Sequence, residues 1–321
     1  MTTPVPMFLD CDTGIDDAMA LVYLLNSPDI DLVGVATVSG NIDAAGGARN
    51  TLDLLALAGR ADIPVAVGNH DPQAGHYDGG APHVHGDNGI GNVTLPRSGN
   101  EPAAGTGAEL LVKLARQYRG RLHVVAIAPL TNLAEALRLE PDLPNLVSHV
   151  TIMGGAALVP GNITAVAEAN IGNDPEAAAE VFAASWDLTL VPLDVTMSHR
   201  FDEADRQELL SDGRPVPVAL GEMLDYYFGF YFTVFGDRHC ALHDPLAAAI
   251  AVGAVIPDLA PTVRVAVEAG SGPSRGQTVC DLRGRYRDFP PQSGAHCRVV
   301  LTAPDGAAAH IKHRLLAAPG G

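Results

Sequence analysis

The apolar and polar positions of the chain alternate between short apolar runs and amphipathic stretches, a pattern typical of strands followed by helices. Residues 5–9 form an apolar run that predicts a buried strand. A helix is predicted to begin at Asp16 and Asp17, whose charges favour the positive end of the helix dipole. Pro28 ends this helix, because the residue before a proline disfavours helical backbone. A strand is predicted at 32–38, a helix at 44–58 and a further strand at 63–67.

The pattern changes after Gly68. Residues 69–100 are rich in Gly, Pro, His, Asp and Asn and have no sustained period, which in a compact domain indicates a functional or mobile loop. We hypothesise that this loop is a lid that closes over a substrate and excludes water.

Regular elements return beyond this loop. Asp174 and Pro175 predict a helix start, with the Asp as cap and the Pro in the first helical position. Residues 201–253 are predicted to be mainly helical. The other predicted elements are helices at 105–118 and 307–317 and strands at 122–127, 150–153, 188–193, 263–268, 278–282 and 297–301.

This alternation of strands and helices predicts an α/β fold. We expect a single open, mainly parallel sheet with helices on both faces and right-handed crossovers. The chain has no internal repeat and no linker of low complexity, so one domain over 1–321 is expected, with a mainly helical subregion at about 201–240. In such sheets ligands bind beyond the carboxyl ends of the strands, so the loops after the strands are where chemistry is expected.

Composition and charge narrow the classes of partner. The chain has 321 residues, 47% of them hydrophobic, and a formal net charge of -17, which repels nucleic acids and anionic membrane surfaces. No apolar run approaches the ~18 residues of a membrane span, and residues 1–6 lack the pattern of a signal peptide. The cysteines form no CxxC pair and are expected to be reduced thiols of a cytoplasmic protein; they are Cys11, Cys240, Cys280 and Cys297.

Four carboxylates lie in the loop after the first strand: Asp10, Asp12, Asp16 and Asp17. Packed together they would repel one another, and a hard divalent cation such as Ca²⁺ relieves that repulsion best. The structural alternative is a solvated turn with helix-capping Asp residues. An EF-hand is excluded, because counting from Asp10 its fifth position is Gly14 and its twelfth is Leu21.

The same loop resembles the start of haloacid-dehalogenase-type phosphatases. In that reading Asp10 is a nucleophile that works with Mg²⁺, and Asp12 follows at the correct spacing. The threonine comes one residue early, as Thr13. A phosphatase therefore stays open as the alternative enzyme.

The closer resemblance is to the inosine–uridine-type nucleoside hydrolases. Asp12, Gly14, Asp16 and Asp17 match the opening signature of that family, with Thr13 where the family usually has Pro. Further matching segments follow in order over nearly the whole chain: 39–41, 83–86, 129–132, 153–155, 161–162, 167–170, 174–177 and 243–245. The resemblance implies a Rossmann-like fold and an enzyme that hydrolyses the N-glycosidic bond of ribonucleosides.

The resemblance also implies roles for individual residues. The Ca²⁺ ligands would be the carboxylates of Asp12, Asp17 and Asp244 and the backbone carbonyl of Ile127. Asp12 would also be the base that accepts a proton from the attacking water. His243 would assist the leaving base. The residues expected to contact the substrate are Asp16, Asn41, His83, Asn162, Glu168, Asn170 and Tyr231.

The family resemblance also implies an oligomeric state, a homodimer or homotetramer. The preference for purine or pyrimidine is expected to depend on residues 75–90 and 225–243, among them Phe235, Arg238 and His239. A protein that binds nucleosides with Ca²⁺ but has lost turnover is the non-enzymatic alternative. Taken singly, each polar residue could also be structural, such as a histidine with satisfied hydrogen bonds or a loop residue bonding the backbone.

Overall fold

The computed structural model describes residues 3–317; the ends of the expected 1–321 unit, 1–2 and 318–321, lie outside the described residues. The strands are β1 (Val5–Cys11), β2 (Ile30–Thr37), β3 (Val65–Val67), β4 (Leu122–Ala126), β5 (Val147–Met153), β6 (Leu188–Val191), β7 (Arg200–Asp202), β8 (His239–Ala241), β9 (Thr262–Val263), β10 (Val265–Val267), β11 (Thr278–Cys280) and β12 (Cys297–Val299).

Eight of these strands form the central sheet, in the order β3-β2-β1-β4-β5-β6-β12-β9. Every neighbouring pair is parallel except β12 with β9, which is antiparallel at the edge. The α/β fold with a mainly parallel sheet is therefore confirmed.

Helices cover both faces of the sheet. They are α1 (Ile15–Leu25), α2 (Ala44–Leu57), α3 (Pro82–His85), α4 (Gly107–Gln117), α5 (Thr131–Leu139), α6 (Leu143–Leu146), α7 (Ala169–Asn173), α8 (Pro175–Ala183), α9 (Leu193–Thr196), α10 (Glu203–Asp212), α11 (Pro215–Phe235), α12 (His243–Ala251) and α13 (Ala307–Leu315), with a 3₁₀ helix at Arg283–Arg287. One apolar core joins α1, α11 and α12 to the sheet, and a second joins α4, α5 and α8 to it. None of the helices in 3–317 combines the length and hydropathy needed to cross a membrane.

The strand order places the ligand crevice. The chain adds β2 and β3 on one side of β1, and then adds β4, β5 and β6 on the other side. The direction of the connections therefore changes between β1 and β4. A crevice forms at the carboxyl ends of strands at such a switch point. The segment after β1 carries Asp12, and Ile127 directly follows β4. The acidic loop is therefore at the switch point.

Short strands add to or divide the expected secondary structure in two places. The segment 201–253, predicted to be mainly helical, also contains β8, which pairs antiparallel with β7. The predicted strand 263–268 is divided between β9 in the central sheet and β10, which pairs with β11 outside it. Strands of two or three residues are too short for a period to be visible, and their partners are distant in sequence.

Candidate active site

Three carboxylates converge at the switch point. Oxygen atoms of Asp16, Asp17 and Asp244 all lie within 4.8 Å of one another, and all three residues are buried. Asp16 and Asp17 occupy the first turn of α1, and Asp244 the first turn of α12. Helices from both ends of the chain thus bring these negative charges together. The sequence predicted Asp17 and Asp244 as ligands with Asp12, whereas Asp16 was expected to contact the sugar.

Asn41 joins Asp12 to this cluster. Its backbone N–H donates to Asp12 Oδ2 at 2.6 Å, and its side-chain amide donates to Asp12 Oδ1 at 3.1 Å and to Asp17 Oδ2 at 3.0 Å. Gly40 permits this approach, because a Cβ at that position would lie 2.0 Å from Asp12 Oδ2. The segment 39–41 therefore serves to orient two carboxylates.

The electrostatics of the cluster call for a cation. Burial, followed by the charge of Asp16, raises the pKa of Asp17 to about 7. Burial, followed by the charge of Asp17, raises the pKa of Asp12 well above its usual value. Burial, followed by the charge of Asp16, does the same to the pKa of Asp244. Asp16 Oδ1 is buried without a hydrogen-bond partner within 3–317. Buried, partly unsatisfied carboxylate oxygens suit a hard divalent ion such as Ca²⁺, so the cluster can hold a metal.

Asp10, the nucleophile of the phosphatase alternative, does not line the cavity at the acidic cluster, which is described below. It is fully buried in β1, and its Oδ1 accepts a hydrogen bond from the Asn132 side chain at 2.7 Å. Burial raises its pKa to about 7.

The expected sugar-binding residues form a second polar group. Glu168 caps α7: its carboxylate accepts hydrogen bonds from the backbone N–H groups of Asn170 at 2.9 Å, Gly155 at 2.7 Å and Ile171 at 3.2 Å. Burial nevertheless raises its pKa to about 7. Asn162 Oδ1 accepts from the Ala169 N–H at 2.9 Å. Backbone contacts thus hold both side chains, so their positions are fixed before any ligand binds.

His243 lies at the start of α12, beside Asp244. Its Nδ1 is 2.8 Å from Thr196 Oγ1, and its Nε2 is 2.9 Å from the Tyr231 hydroxyl. Burial lowers the pKa of His243, whereas the charge of Asp16 opposes that effect. Both ring nitrogens therefore have hydrogen-bond partners.

The structure separates the two histidines of the 83–86 segment. His83 is exposed, with its ring 6.0 Å from that of Phe230. His85 is buried; its Nδ1 accepts from the Ile15 N–H at 3.1 Å and lies 3.9 Å from Asp16 Oδ1. Tyr227, another residue that the sequence analysis missed, donates to Asp16 Oδ2 at 3.1 Å. The signal for Tyr227 was weak, because an aromatic residue in an apolar helix is usually a core residue.

All these groups meet around one cavity of about 900 Å³. Among the residues singled out from the sequence, those that line it are Asp16, Asn41, His83, Ile127, Asn162, Glu168, Asn170, Tyr231, Phe235, His243 and Asp244. Asp12 and Asp17 are 1% exposed and do not line the cavity. Asn41, which does line it, donates hydrogen bonds to both carboxylates. Asp194 and Arg200, which the sequence analysis did not consider, also line it. Arg238 and His239 do not.

Comparison with known proteins identifies the family. Residues 7–309 match the family described as "Inosine-uridine preferring nucleoside hydrolase". The chain is 38% identical over 279 residues to the "Probable uridine nucleosidase 2" of Arabidopsis thaliana, covering 85% of this chain and 84% of that protein. It is 35% identical to the "Pyrimidine-specific ribonucleoside hydrolase RihA" of Salmonella paratyphi B, covering 86% and 88%.

Solved structures agree with this result. The structure titled "Plant nucleoside hydrolase - PpNRh1 enzyme" superposes with a TM-score of 0.91 at 30% identity, covering 98% of this chain and 99% of that one. The "Purine-Preferring Ribonucleoside Hydrolase from Gardnerella vaginalis" gives a TM-score of 0.89 at 28% identity, covering 97% and 98%.

The chain therefore belongs to the inosine-uridine preferring nucleoside hydrolase family. It is a hydrolase of N-glycosyl compounds that acts on ribonucleosides. The expected family and enzyme class are confirmed, and neither the phosphatase nor the silent binder is favoured.

Proposed function

We propose that this enzyme hydrolyses ribonucleosides to ribose and free base with the help of a bound Ca²⁺ ion. The observation that carries the proposal is the convergence of Asp16, Asp17 and Asp244 at a cavity large enough for a nucleoside. Uridine is among the expected substrates, since the similar plant protein is named a uridine nucleosidase.

The residues that would hold the cation are Asp12, Asp17, Asp244 and the carbonyl of Ile127. Asp16 is close enough to this set to share the same positive charge. When bound, the cation would supply Lewis-acid chemistry, lowering the pKa of a water and binding sugar hydroxyls. The raised pKa values of the buried carboxylates support this proposal, because a cation would return these groups to their ionised form.

Asp12 is proposed to accept the proton of the attacking water. The two hydrogen bonds from Asn41 fix the orientation of its carboxylate. A fixed base next to the reacting carbon contributes both orientation and proton transfer.

The sugar is proposed to be held by Asp16, Asn41, Asn162, Glu168 and Asn170. The amide and carboxylate groups of these residues can bind the ribose hydroxyls and place C1′ near Asp12. Cleavage passes through a state with positive charge on the sugar, as in other glycoside hydrolyses. The surrounding negative charge would stabilise that state more than the substrate.

His243 is proposed to assist the departing base by donating a hydrogen bond or a proton. It lies within the cavity wall and is hydrogen-bonded to Tyr231, so a proton can pass between the two side chains. An exposed His83 could contact the same base from the rim of the cavity.

The experiment that tests this function is base release from inosine, adenosine, guanosine, uridine and cytidine, with Ca²⁺ present and after its removal. Formation of ribose and free base that stops when the metal is removed is the expected result. Release of phosphate from phosphomonoesters, with every nucleoside left intact, would contradict it. Tight nucleoside binding without cleavage would instead indicate the silent binder.

We propose that residues 69–100 close over the bound substrate. The loop is attached near the site, since the Tyr226 hydroxyl donates to the Pro82 carbonyl at 2.8 Å and the Ala81 N–H donates to the Asn41 carbonyl at 3.0 Å. Its segment around 75–80 is mostly exposed. A bound inhibitor should therefore slow proteolysis of that segment; an unchanged cleavage rate would contradict closure.

Further proposals concern the whole protein. We propose one domain over 1–321, a homodimer or homotetramer, a cytoplasmic location and a role in nucleoside salvage. The free cysteines of the described part of the chain support a reducing compartment. Sedimentation of the purified protein would test the oligomeric state.

A further inference from the structure

Arg200 is a cation in an otherwise acidic cavity. The lining includes four carboxylates, those of Asp16, Glu168, Asp194 and Asp244. Among the lining residues within 3–317, Arg200 is the single Lys or Arg. An arginine kept exposed at a substrate cavity suggests a ligand that accepts hydrogen bonds.

The terminal N–H groups of the Arg200 guanidinium have no hydrogen-bond partner within 3–317. Its Nε donates to the Met197 carbonyl at 3.1 Å, which fixes the root of the group. No carboxylate of the described chain lies within 4.0 Å of it. Arg238, the arginine suggested by the sequence, is instead bound to Glu203 at 3.2 Å and Asp225 at 2.8 Å. Arg200 is therefore the arginine with terminal N–H groups available to a ligand.

The backbone places Arg200 at the end of the cavity where the base would leave. In the β7–β8 pair Arg200 is opposite Ala241, and the Leu242 N–H donates to the His199 carbonyl at 2.9 Å. Arg200 is thus tied to the segment that leads directly into His243. Thr196, four residues before Arg200, contacts the His243 ring at 2.8 Å. The residues proposed to hold the sugar come from other segments, after β1, β2 and β5.

Arginine offers only hydrogen-bond donors. A base carbonyl, as in uracil or hypoxanthine, can accept from such a group. An exocyclic amino group, as in cytosine or adenine, presents a second donor and leaves both groups unpaired, which is costly. We propose that Arg200 makes the enzyme select nucleosides whose base carries an oxo group at C4 of a pyrimidine or C6 of a purine over their counterparts with an amino group there. This inference rests on the proposed nucleoside hydrolysis.

The test is the ratio of kcat/KM for uridine over cytidine and for inosine over adenosine. The full-length wild-type enzyme should favour the oxo nucleoside by about tenfold or more, the size of one charge-assisted hydrogen bond. Arg200→Met should bring both ratios to within about threefold of unity. Arg200→Gln, whose amide can donate to an oxo group or accept from an amino group, should also leave both ratios near unity, and Arg200→Lys should keep part of the preference. Arg298→Met is the matched control, an exposed strand arginine outside the cavity.

Several results would overturn the inference. One is a wild-type enzyme that prefers cytidine and adenosine. Another is an equal loss for all four nucleosides in Arg200→Met, which would mean that Arg200 acts on the shared sugar. A third is faster cleavage of uridine 5′-monophosphate than of uridine, lost in Arg200→Met with unchanged base ratios, which would make it a phosphate contact. Absence of ribose release from every nucleoside would refute the proposed function itself, separately from the role of Arg200.

Discussion

The hydroxyl of Tyr231 lies 2.9 Å from His243 Nε2, and the two residues belong to different helices, α11 and α12. Both side chains are buried, and the tyrosine ring also packs against Tyr227 and Phe235. This contact holds the imidazole of His243 at the cavity wall.

Replacement of His243 should affect leaving groups unequally. His243→Ala should lower kcat for inosine and uridine by about 10²–10⁴-fold, the usual contribution of a general acid. It should slow p-nitrophenyl riboside far less, because nitrophenolate leaves without a proton. Parallel assays of wild type and variant on these substrates measure the difference. Equal losses on all of them would exclude the acid role.

Asp12 should be indispensable for turnover. Asp12→Asn keeps the size of the side chain but removes its charge, so we expect kcat to fall by about 10³-fold or more, since both a base and a proposed ligand are lost. Steady-state kinetics and Ca²⁺ titration calorimetry would measure the two losses. Asp62→Asn, on an exposed carboxylate, is the control. Near-normal turnover of the Asp12 variant would refute the assignment.

Removal of the metal should cost stability as well as activity. Without a cation, Asp16, Asp17 and Asp244 repel one another in a buried site. A ligand at 100 times its Kd stabilises the folded state by about 2.7 kcal/mol. Chelation should therefore lower the melting temperature by several degrees, and Ca²⁺ should restore it. A melting curve unaffected by Ca²⁺ would contradict a metal site here.

His123 predicts a pH dependence of stability at a distance from the cavity. Its Nε2 is 3.0 Å from Thr151 Oγ1. Burial, followed by the charge of His149, lowers its pKa from 6.5 to about 3. The folded state thus disfavours the protonated ring, so the stability that His123 contributes is complete above pH 6.5 and is lost as the pH falls towards 3.

The measurement is the urea unfolding free energy between pH 7.5 and 4.5. Other groups also titrate in this range, so the comparison is between variant and wild type. His123→Gln should lose less stability on acidification than the wild type does. His313→Gln, at an exposed position of α13, should follow the wild-type curve. Parallel curves for His123→Gln and wild type would contradict the prediction.

The sequence was sufficient for the family and for the architecture. Long apolar strands such as β1 and β5 produce a clear pattern, and the order of strands and helices permits few topologies. The acidic loop after β1 was recognisable because four carboxylates so close together need either solvent or a cation. The short pair β7–β8 was missed, since three residues carry no period. Strands were expected at 263–268 and 278–282, but the pairing of β10 with β11 outside the central sheet was not.

Other features were decided only by the tertiary structure. Contacts with residues far away in the chain decide which histidine of 83–86 is buried. Such contacts also decide which arginine has no carboxylate partner. His85 is 70 residues from Ile15, and Tyr227 is 211 residues from Asp16. The sequence by itself thus determined the class of enzyme and the residue types of its site. The fold decided which of these side chains face the cavity, because burial and hydrogen bonding arise from packing between distant segments rather than from local spacing.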